Sequence, residues 1–527
     1  MFWADTIADE VERRYGALIK SGQPIVVRDE KTASGRVHVG SLRSASLHAI
    51  VADVLRSRGH NVKFLFEIND FDAMDGIPSY LDKDVYEKYM GIPLCNIPSP
   101  EPGFANFAEY YGQEYVKVLE QVGFGATVYR ASELYRSGAM NEMINKALER
   151  RALVRDIYFR VSKSEKPEDW YPLNVVCENC GNLSATKITS FDGEMVEYTC
   201  SSDTISWAKG CGHSGKRSPY NGNAKFPWKL DWAAKFVAQS VNFEGGGKDH
   251  YTKGGARQVA EAICREVFDH EPPYGVFNEF FLVGGKKMSS SKGGAATAVE
   301  MANTLPPHML RLLLLRTPIN RQLDFDPDGD AIPILFDTYD KLAEKYWSGI
   351  VDDDSQVFKF IHLPDERGDL PQRYLQRFSQ VAFLVQMPHM DLYAEVAKMK
   401  GEELTDLDVA ELDERAVYAK RWLREYADDK FIFTLQNKIP EATANLTETQ
   451  QTALRLLSDK IELLETIDGQ ILHELIHEVK GESSLTPQEF FGAIYTAFLG
   501  KDSGPKVGWF LSTLNKDFLL KRLRGEE

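Results

Sequence analysis

Two short apolar strands on either side of one helix restrict the possible fold of this chain more than any other feature. Residues 24–29 and 61–68 are apolar runs of strand length, and apolar positions recur at helical spacing from Ser41 to Arg58. Gly59 is suited to end that helix. This order predicts a parallel βαβ unit. Because ligands bind beyond the carboxyl ends of such strands, we expect functional groups just after residues 29 and 68.

The loop after the first strand has the composition of an anion-binding turn. It reads Ser34-Gly35-Arg36-Val37-His38-Val39-Gly40-Ser41 and leads directly into the predicted helix, whose N-terminus attracts anions. Its glycines permit close approach of the backbone to a phosphate, and the His38 imidazole can donate a hydrogen bond. Taken alone, the segment is equally well explained as a turn that happens to contain one histidine.

A second loop, far downstream, is rich in lysine and serine. It reads Lys286-Lys287-Met288-Ser289-Ser290-Ser291-Lys292-Gly293-Gly294 and follows a predicted strand over 279–283. A flexible loop of cations and hydroxyls can close over a polyphosphate, because nucleotidyl transfer depends mostly on positioning and charge stabilisation. The alternative is a solvated surface loop.

Other polar residues stand near predicted strand ends. A glycine-rich turn leads into Asp249, which can accept from ribose hydroxyls, and His250, which can orient a substrate; a helix is expected over 256–268. Trp228 is equally suited to a pocket wall or a core position. Asp70 and Asp72 follow the second strand and are candidates for attracting a cationic side chain, with loop or helix capping as an equal alternative.

Four cysteines have a spacing suited to a tetrahedral structural zinc site: Cys177, Cys180, Cys200 and Cys211. The last gap is longer than in the usual close pair, so His213 is a reserve ligand in place of Cys200 or Cys211. The alternative is four cysteines that bind no metal.

The segment His473-Glu474-Leu475-Ile476-His477 matches the H-E-x-x-H pattern of zinc proteases. Its helix is expected to run from about Thr452 to Val479. At helical spacing both histidines project away from the apolar stripe of that helix, so no buried catalytic cleft is indicated.

The composition argues against a protein that coats nucleic acid. The 527 residues carry a formal net charge of −16, which gives no general attraction to phosphate. Residues 1–14 lack the pattern of a signal peptide, and the longest aliphatic run is too short to span a bilayer. Six cysteines in such a chain do not suggest a disulfide framework. We expect a reducing, cytoplasmic setting.

Together these segments resemble class I aminoacyl-tRNA synthetases. The two loops are similar to the HIGH-like and KMSKS-like signatures of that class and occur in the same order. Four further segments are similar to the class I lysyl-tRNA synthetase family: Gly247 to His250, Leu315 to Pro318, Asp324 to Pro327, and the tail from Gly500 to Pro505. The resemblance covers nearly the whole chain.

The resemblance implies an α/β fold. A Rossmann-like parallel-sheet catalytic domain with a zinc-binding insertion would be followed by an all-α C-terminal anticodon-binding domain. The implied boundaries are 1–94 and 221–300 for the two halves of the catalytic domain, 95–220 for the insertion with its zinc module at about 170–217, 301–340 for a connecting region, and 341–527 for the anticodon-binding domain.

The resemblance also implies a reaction. Lysine and ATP would give lysyl-adenylate and pyrophosphate, and lysine would then pass to the terminal ribose of tRNA(Lys), with Mg²⁺ and structural Zn²⁺ as cofactors. The implied catalytic residues are His38, Lys287 and Lys292. The implied ATP-binding residues are Ser34, Gly35, His38, Gly40, Ser41, Gly247, Asp249, His250, Lys287, Ser289, Ser290 and Lys292. The lysine site would comprise Thr32, Trp228 and His250 together with Asp70 and Asp72.

Three features depart from the family pattern. Ser290 stands where the general class has a second lysine, so Lys292 is expected to take that role. Asn278 stands where relatives often have tyrosine beside the substrate. Residues 98–111 contain no cysteine or histidine, so a single zinc is expected. The alternative functions are a glutamyl- or arginyl-tRNA synthetase, a zinc protease and a non-catalytic tRNA-binding protein.

Overall fold

In the computed structural model the chain divides into two compact units. The first consists of residues 1–325 and 342–370, and the second of residues 326–341 and 371–527. The structure describes residues 2–287, 296–387 and 390–526.

The first unit combines helices with all the strands of the described residues. Its helices are α1 (Trp3–Lys20), α2 (Ser41–Ser57), α3 (Lys83–Tyr86), α4 (Phe107–Gln121), α5 (Ala131–Arg136), α6 (Asn141–Glu149), α7 (Arg151–Ser162), α8 (Trp228–Ala238), α9 (Ala256–Glu266), α10 (Ala298–Thr304), α11 (Pro307–Arg316), the end of α12 (Ala331–Trp347) and α13 (Asp353–Ile361). Its strands are β1 (Ile25–Thr32), β2 (Val62–Asn69), β3 (Thr127–Arg130), β4 (Asn174–Val175), β5 (Thr186–Phe191), β6 (Val196–Cys200), β7 (Ser214–Arg217), β8 (Ala224–Lys225), β9 (Gly246–Gly247), β10 (Phe277–Asn278), β11 (Phe281–Val283), β12 (Lys286–Lys287) and β13 (Leu323–Asp324).

A parallel sheet forms the centre of the first unit. β1 pairs with β2 along its whole length, and β2 pairs with β3. On its other side β1 bridges in parallel to Phe243, which bridges in turn to Tyr274, and β9 pairs with β10 just beyond. Across the sheet the order is therefore β3, β2, β1, the Phe243 segment and the Tyr274 segment. This order matches five of the six strands of the Rossmann fold. The predicted βαβ unit is confirmed.

The residues explain these elements. Ile25, Val26 and Val27 are buried, as expected of a parallel strand covered on both faces. Helix α2 is buried along most of its length between Leu42 and Leu55. It ends where predicted, because Gly59 adopts a φ of +86°, a conformation that costs glycine little.

The predicted insertion carries a separate small sheet. β4 and β8 pair antiparallel, and between them β5, β6 and β7 form a three-stranded antiparallel sheet. Cys177 and Cys180 lie between β4 and β5, Cys200 ends β6, and Cys211 lies between β6 and β7.

The second unit is helical throughout its described residues. Its helices are the start of α12, α14 (Phe378–Leu384), α15 (Leu392–Lys400), α16 (Asp406–Glu425), α17 (Glu448–Glu462), α18 (Gly469–Glu482), α19 (Pro487–Leu499), α20 (Val507–Ser512) and α21 (Lys516–Arg524). The single helix expected from Thr452 to Val479 was wrong. The Asp468 carboxylate accepts hydrogen bonds from the backbone of Gln470 and Ile471 and so starts α18 as a new helix.

Within the described residues, no helix combines the length and apolar character needed to cross a bilayer.

Candidate active site

A polar cavity of about 420 Å³ lies at the carboxyl end of the parallel sheet. It opens between β1 and the segment after Phe243, where the direction of strand order reverses and where α/β folds bind their ligands. Nine predicted site residues line it: Thr32, Ser34, His38, Gly40, Ser41, Trp228, Gly247, Asp249 and His250. The structure thus brings together residues that lie far apart in the sequence.

Backbone hydrogen bonds join the first signature-like loop to the segment that follows the second one. The Val39 amide donates to the Ala296 carbonyl at 3.0 Å, and the Ala298 amide donates to the Val37 carbonyl at 2.8 Å. On the other side of the second loop, β12 pairs with β11, which begins at the cavity-lining Phe281. Of the predicted residues in this loop, Ser289, Ser290 and Lys292 lie outside the described residues, and Lys287 is the last residue of β12.

Gly40 keeps space for the His38 ring at the start of α2. A Cβ atom at residue 40 would lie 2.8 Å from the Nδ1 atom of His38, closer than real Cβ contacts allow. The glycine therefore lets the imidazole pack against the first turn of the helix, where the positive end of the helix dipole favours an anion. Gly35 does not line the cavity and sits instead against Pro78 and the Tyr80 hydroxyl.

An aromatic corner bounds another part of the cavity. The His250 ring packs edge-on against Trp228 at 5.6 Å and against Trp232 at 5.8 Å between ring centroids. Trp228 is 49% exposed and so forms a cavity wall, whereas Trp232 is largely buried. The glycine-rich turn that carries His250 is held by parallel pairing of Gly247 with Asn278.

Asp70 and Asp72 do not line the cavity. Asp70 is buried and accepts from the backbone amide and hydroxyl of Ser132, at 2.8 and 2.6 Å; burial raises the pKa of its carboxyl. Asp72 accepts from the Thr32 hydroxyl at 2.9 Å and pairs with Lys225 at 2.8 Å. Both carboxylates hold other parts of the protein in place.

The sulfur atoms of the four cysteines lie close together. All four sulfur atoms lie within 4.8 Å of one another, with 3.7 Å between Cys177 and Cys211 and 3.7 Å between Cys180 and Cys200. A tetrahedron of thiolates around zinc, with Zn–S bonds of about 2.3 Å, has edges of about 3.8 Å. The four sulfur atoms therefore match a zinc site, and His213 is not part of the group.

Comparison with known proteins identifies the family. A profile of tRNA synthetases class I (K) matches residues 1–364, and a profile of an anticodon binding domain matches residues 383–525. The chain is 31% identical to Lysine–tRNA ligase 1 of Methanosarcina acetivorans over 99% of this chain and 98% of that protein. It is 31% identical to the Lysine–tRNA ligase of Archaeoglobus fulgidus over 99% of both, and 32% identical to that of Methanosarcina barkeri over 99% and 96%.

The chain belongs to the class I lysyl-tRNA synthetase family. The Rossmann-like sheet and the helical second unit agree with the fold expected from the resemblance. The membership also accounts for the approach of residues 37–39 and 296–298, which lie far apart along the chain.

The protease-like segment of this synthetase lies on α18. Leu472, Ile476 and Val479 are buried, whereas His473 is half-buried beside Trp509 and His477 is exposed. Glu474 accepts from Gln470 at 2.6 Å. Among the described residues, the four cysteines are the one cluster of three or more side chains able to share a metal ion, so this structure gives the H-E-x-x-H reading no support.

The sequence reasoning missed several charged residues of the synthetase cavity. Asp29, Glu30 and Lys31, at the end of β1, line it, and so does Glu244. The signal was present in the sequence, since four consecutive charged residues, Arg28 to Lys31, follow the apolar start of the strand. Burial lowers the pKa of Lys31, against the opposing effect of Asp29.

A network of buried ion pairs supports the cavity floor. Arg28 bonds to both oxygens of Glu244, at 2.8 and 2.9 Å, and to Glu67 at 3.0 Å. Lys235 contacts Glu67 and lies 2.7 Å from Asp231. Burial disfavours ionisation of Asp231, but Lys225 and Lys235 outweigh it, and its pKa is lowered.

Proposed function

We propose that this chain is a lysine–tRNA ligase that activates lysine with ATP and transfers it to the 3′ terminal ribose of tRNA(Lys). The observation that carries the proposal is the hydrogen-bonded pairing of residues 37–39, which include the cavity-lining His38, with residues 296–298. The printed names of the full-length relatives supply the amino acid.

In the first step the lysine carboxylate attacks the α-phosphorus of ATP. A carboxyl–phosphate bond forms, the bond between the α- and β-phosphates breaks, and pyrophosphate leaves. His38, Lys287 and Lys292 stabilise the charge that develops on the phosphates. ATP would bind through Ser34, Gly35, His38, Gly40, Ser41, Gly247, Asp249, His250, Lys287, Ser289, Ser290 and Lys292.

The proposed lysine site lies on the aromatic side of the cavity. Trp228 covers the aliphatic chain, and His250 orients the substrate. Thr32 and Asp72 act as a pair, since the Thr32 hydroxyl donates to Asp72. Asp70 contributes to this site indirectly, because its hydrogen bonds from Ser132 stabilise the surrounding fold.

The proposed roles are assigned to consecutive segments of the chain. Residues 1–94 and 221–300 carry adenylation together with β3, which belongs to the same sheet, and the rest of 95–220 forms the insertion. Residues 301–340 connect, and 341–527 read the anticodon, apart from residues 342–370, which belong to the first unit. The matched anticodon binding domain supports the last assignment. Replacing the anticodon of tRNA(Lys) should therefore weaken charging while lysine activation stays unchanged, and equal charging of both tRNAs would contradict it.

We propose Zn²⁺ as a structural cofactor, held by Cys177, Cys180, Cys200 and Cys211. The sulfur spacing fits a closed tetrahedral site, which stabilises the insertion and takes no part in the reaction. Mg²⁺ would accompany the phosphates of ATP, as is usual for this ion.

ATP–pyrophosphate exchange tests the assignment. We expect exchange with lysine and none with glutamate or arginine. Exchange driven by either of those amino acids but not by lysine would show that the chain is a different class I synthetase. A zinc-dependent peptidase activity abolished by Glu474→Gln would support the protease reading instead.

We also propose the cytoplasm as the site of action, in keeping with a role in translation. Fractionation of the cells that make the protein, with immunodetection, tests this. Recovery of the protein in a membrane or secreted fraction would contradict it.

A further inference from the structure

One carboxylate at the cavity wall has an oxygen that accepts no hydrogen bond from the described residues. The Glu30 side chain lines the cavity and is 32% exposed. Its contacts to Arg28 and to Lys235, the latter at 3.5 Å, both use the Oε2 atom. Among the described residues, the one hydrogen bond that this carboxylate accepts comes from Arg28 and goes to Oε2, so Oε1 accepts none. This oxygen is therefore available to a ligand in the cavity.

The ion-pair network that includes Glu30 contains more carboxylates than cations. Three cationic side chains face five carboxylates: Arg28, Lys225 and Lys235 against Glu30, Glu67, Asp72, Asp231 and Glu244. An excess of negative charge in a buried setting attracts a cation strongly, because little solvent screens it. Burial disfavours ionisation of Glu30, but Lys235 and Arg28 lower its pKa to about 2, so it is charged at neutral pH.

The cavity that Glu30 lines suits an ammonium group on an aliphatic chain. Trp228, Trp232 and His250 line the same cavity. Aromatic faces attract ammonium groups and cover methylene groups at the same time.

The other carboxylates of the cavity are engaged elsewhere. Asp29 accepts from the Glu30 amide at 2.9 Å and from the Ser44 hydroxyl at 3.1 Å, and it lies 3.5 Å from His48. Both oxygens of Glu244 bond to Arg28. Asp249 belongs to the glycine-rich turn on the proposed ribose side.

We propose that Glu30 determines the amino-acid specificity of this enzyme by binding the ε-ammonium group of lysine through its Oε1 atom. The inference rests on the proposed function and names a residue that the sequence reasoning did not select. It replaces Asp70 and Asp72 as the partner of the substrate side chain.

The test uses lysine and norleucine, which has the same side chain without the ammonium group. For Glu30→Gln we expect the KM for lysine in pyrophosphate exchange to rise by about 30-fold or more, as for loss of a desolvated charge partner. The inhibition constant of norleucine and the KM for ATP should change by less than about threefold. Glu30→Asp keeps the charge on a shorter side chain and should recover part of the lysine affinity.

Glu109→Gln is the matched control. Glu109 also forms an ion pair, with Arg130 at 2.8 Å, and its side chain is 22% exposed, but it does not line the cavity. This variant should leave the ratio of lysine to norleucine affinity unchanged.

The outcomes separate the two proposals. If Glu30→Gln weakened the binding of lysine and norleucine equally, Glu30 would act on the α-amino group that both share, or only on packing. Either result would overturn the inference. An unchanged KM for lysine in that variant would do the same. Absence of lysine-dependent exchange in the wild-type enzyme would overturn the proposed function itself and the inference with it.

Discussion

Replacing Lys235 with methionine should destabilise the first unit far more than losing a surface lysine. Lys235 is fully buried, and its ammonium contacts Glu67 and lies 2.7 Å from Asp231. Methionine has a similar size but no charge, so two buried carboxylates lose a cation. Removing one partner of a buried ion pair costs about 3–5 kcal/mol.

The contacts that remain in Lys235→Met place the expected loss of folding stability at the lower end of this range. Asp231 keeps Lys225 at 2.8 Å and the Tyr135 hydroxyl at 2.6 Å. Glu67 keeps Arg28 at 3.0 Å. Each carboxylate retains a partner, so we expect a loss of about 3 kcal/mol.

The matched control is Lys216→Met. Lys216 pairs with Asp192 at 2.8 Å, but the two side chains are 50% and 49% exposed. Solvent screens such an exposed pair, so its loss should change the stability little.

Hydrogen exchange measures the effect locally, which matters because two units need not unfold together. In Lys235→Met, the slowest amides of α8 and β2 should exchange about 100-fold faster than in wild type, the equivalent of about 3 kcal/mol. In Lys216→Met they should change by less than about fivefold. Equal changes in the two variants, or slower exchange in Lys235→Met, would refute this account of the network.

The stability contributed by this network should change with pH in a defined direction. Glu30 and Asp231 have lowered pKa values in the folded state, that of Glu30 to about 2. Such groups stabilise the folded protein above their unfolded pKa values of about 4, and this contribution is lost as pH falls through the folded values. The deficit of Lys235→Met should therefore be largest near neutral pH and shrink in acid.

Three further outcomes are expected. Elemental analysis should find one zinc per chain, which is lost when any of the four clustered cysteines is changed to serine and kept in His473→Ala; zinc-free wild-type protein would contradict the site. Lys287→Ala and Lys292→Ala should each slow adenylate formation in single turnovers by roughly 2–4 kcal/mol, with unchanged circular dichroism; wild-type rates would remove both residues from the mechanism. Gly40→Ala should displace the His38 ring, since its Cβ would meet Nδ1 at 2.8 Å, and lower pyrophosphate exchange by about 100-fold; an unaffected rate would show that the ring position is unimportant.

Local patterns were enough to predict much of this protein. The apolar runs and Gly59 predicted β1, α2 and β2 closely, because strand and helix periodicity are short-range properties. The cysteine spacing predicted a group of four metal-binding thiols, and the structure brings their sulfur atoms close together. The single helix predicted from Thr452 to Val479 was wrong, because Asp468 caps a new helix within a pattern of apolar residues that continues past it.

The assignment of individual carboxylates needed the tertiary structure. The sequence places Asp70 and Asp72 after a strand, but it does not show that Ser132 and Lys225 occupy them. Glu30 was overlooked because its surroundings come from α8 and from the rest of the buried network, far away along the chain.

The sequence by itself determined the fold class, the family and the two loops, since these depend on residue order and local spacing. Only the tertiary structure decided which loop residues meet and which charges face the cavity. The pairing of Val37 with Ala298 joins segments whose separation along the chain carries no information about their register. Whether a buried charge is satisfied or free to bind a substrate depends on every group around it, and those groups are assembled only when the sheet and its covering helices pack together.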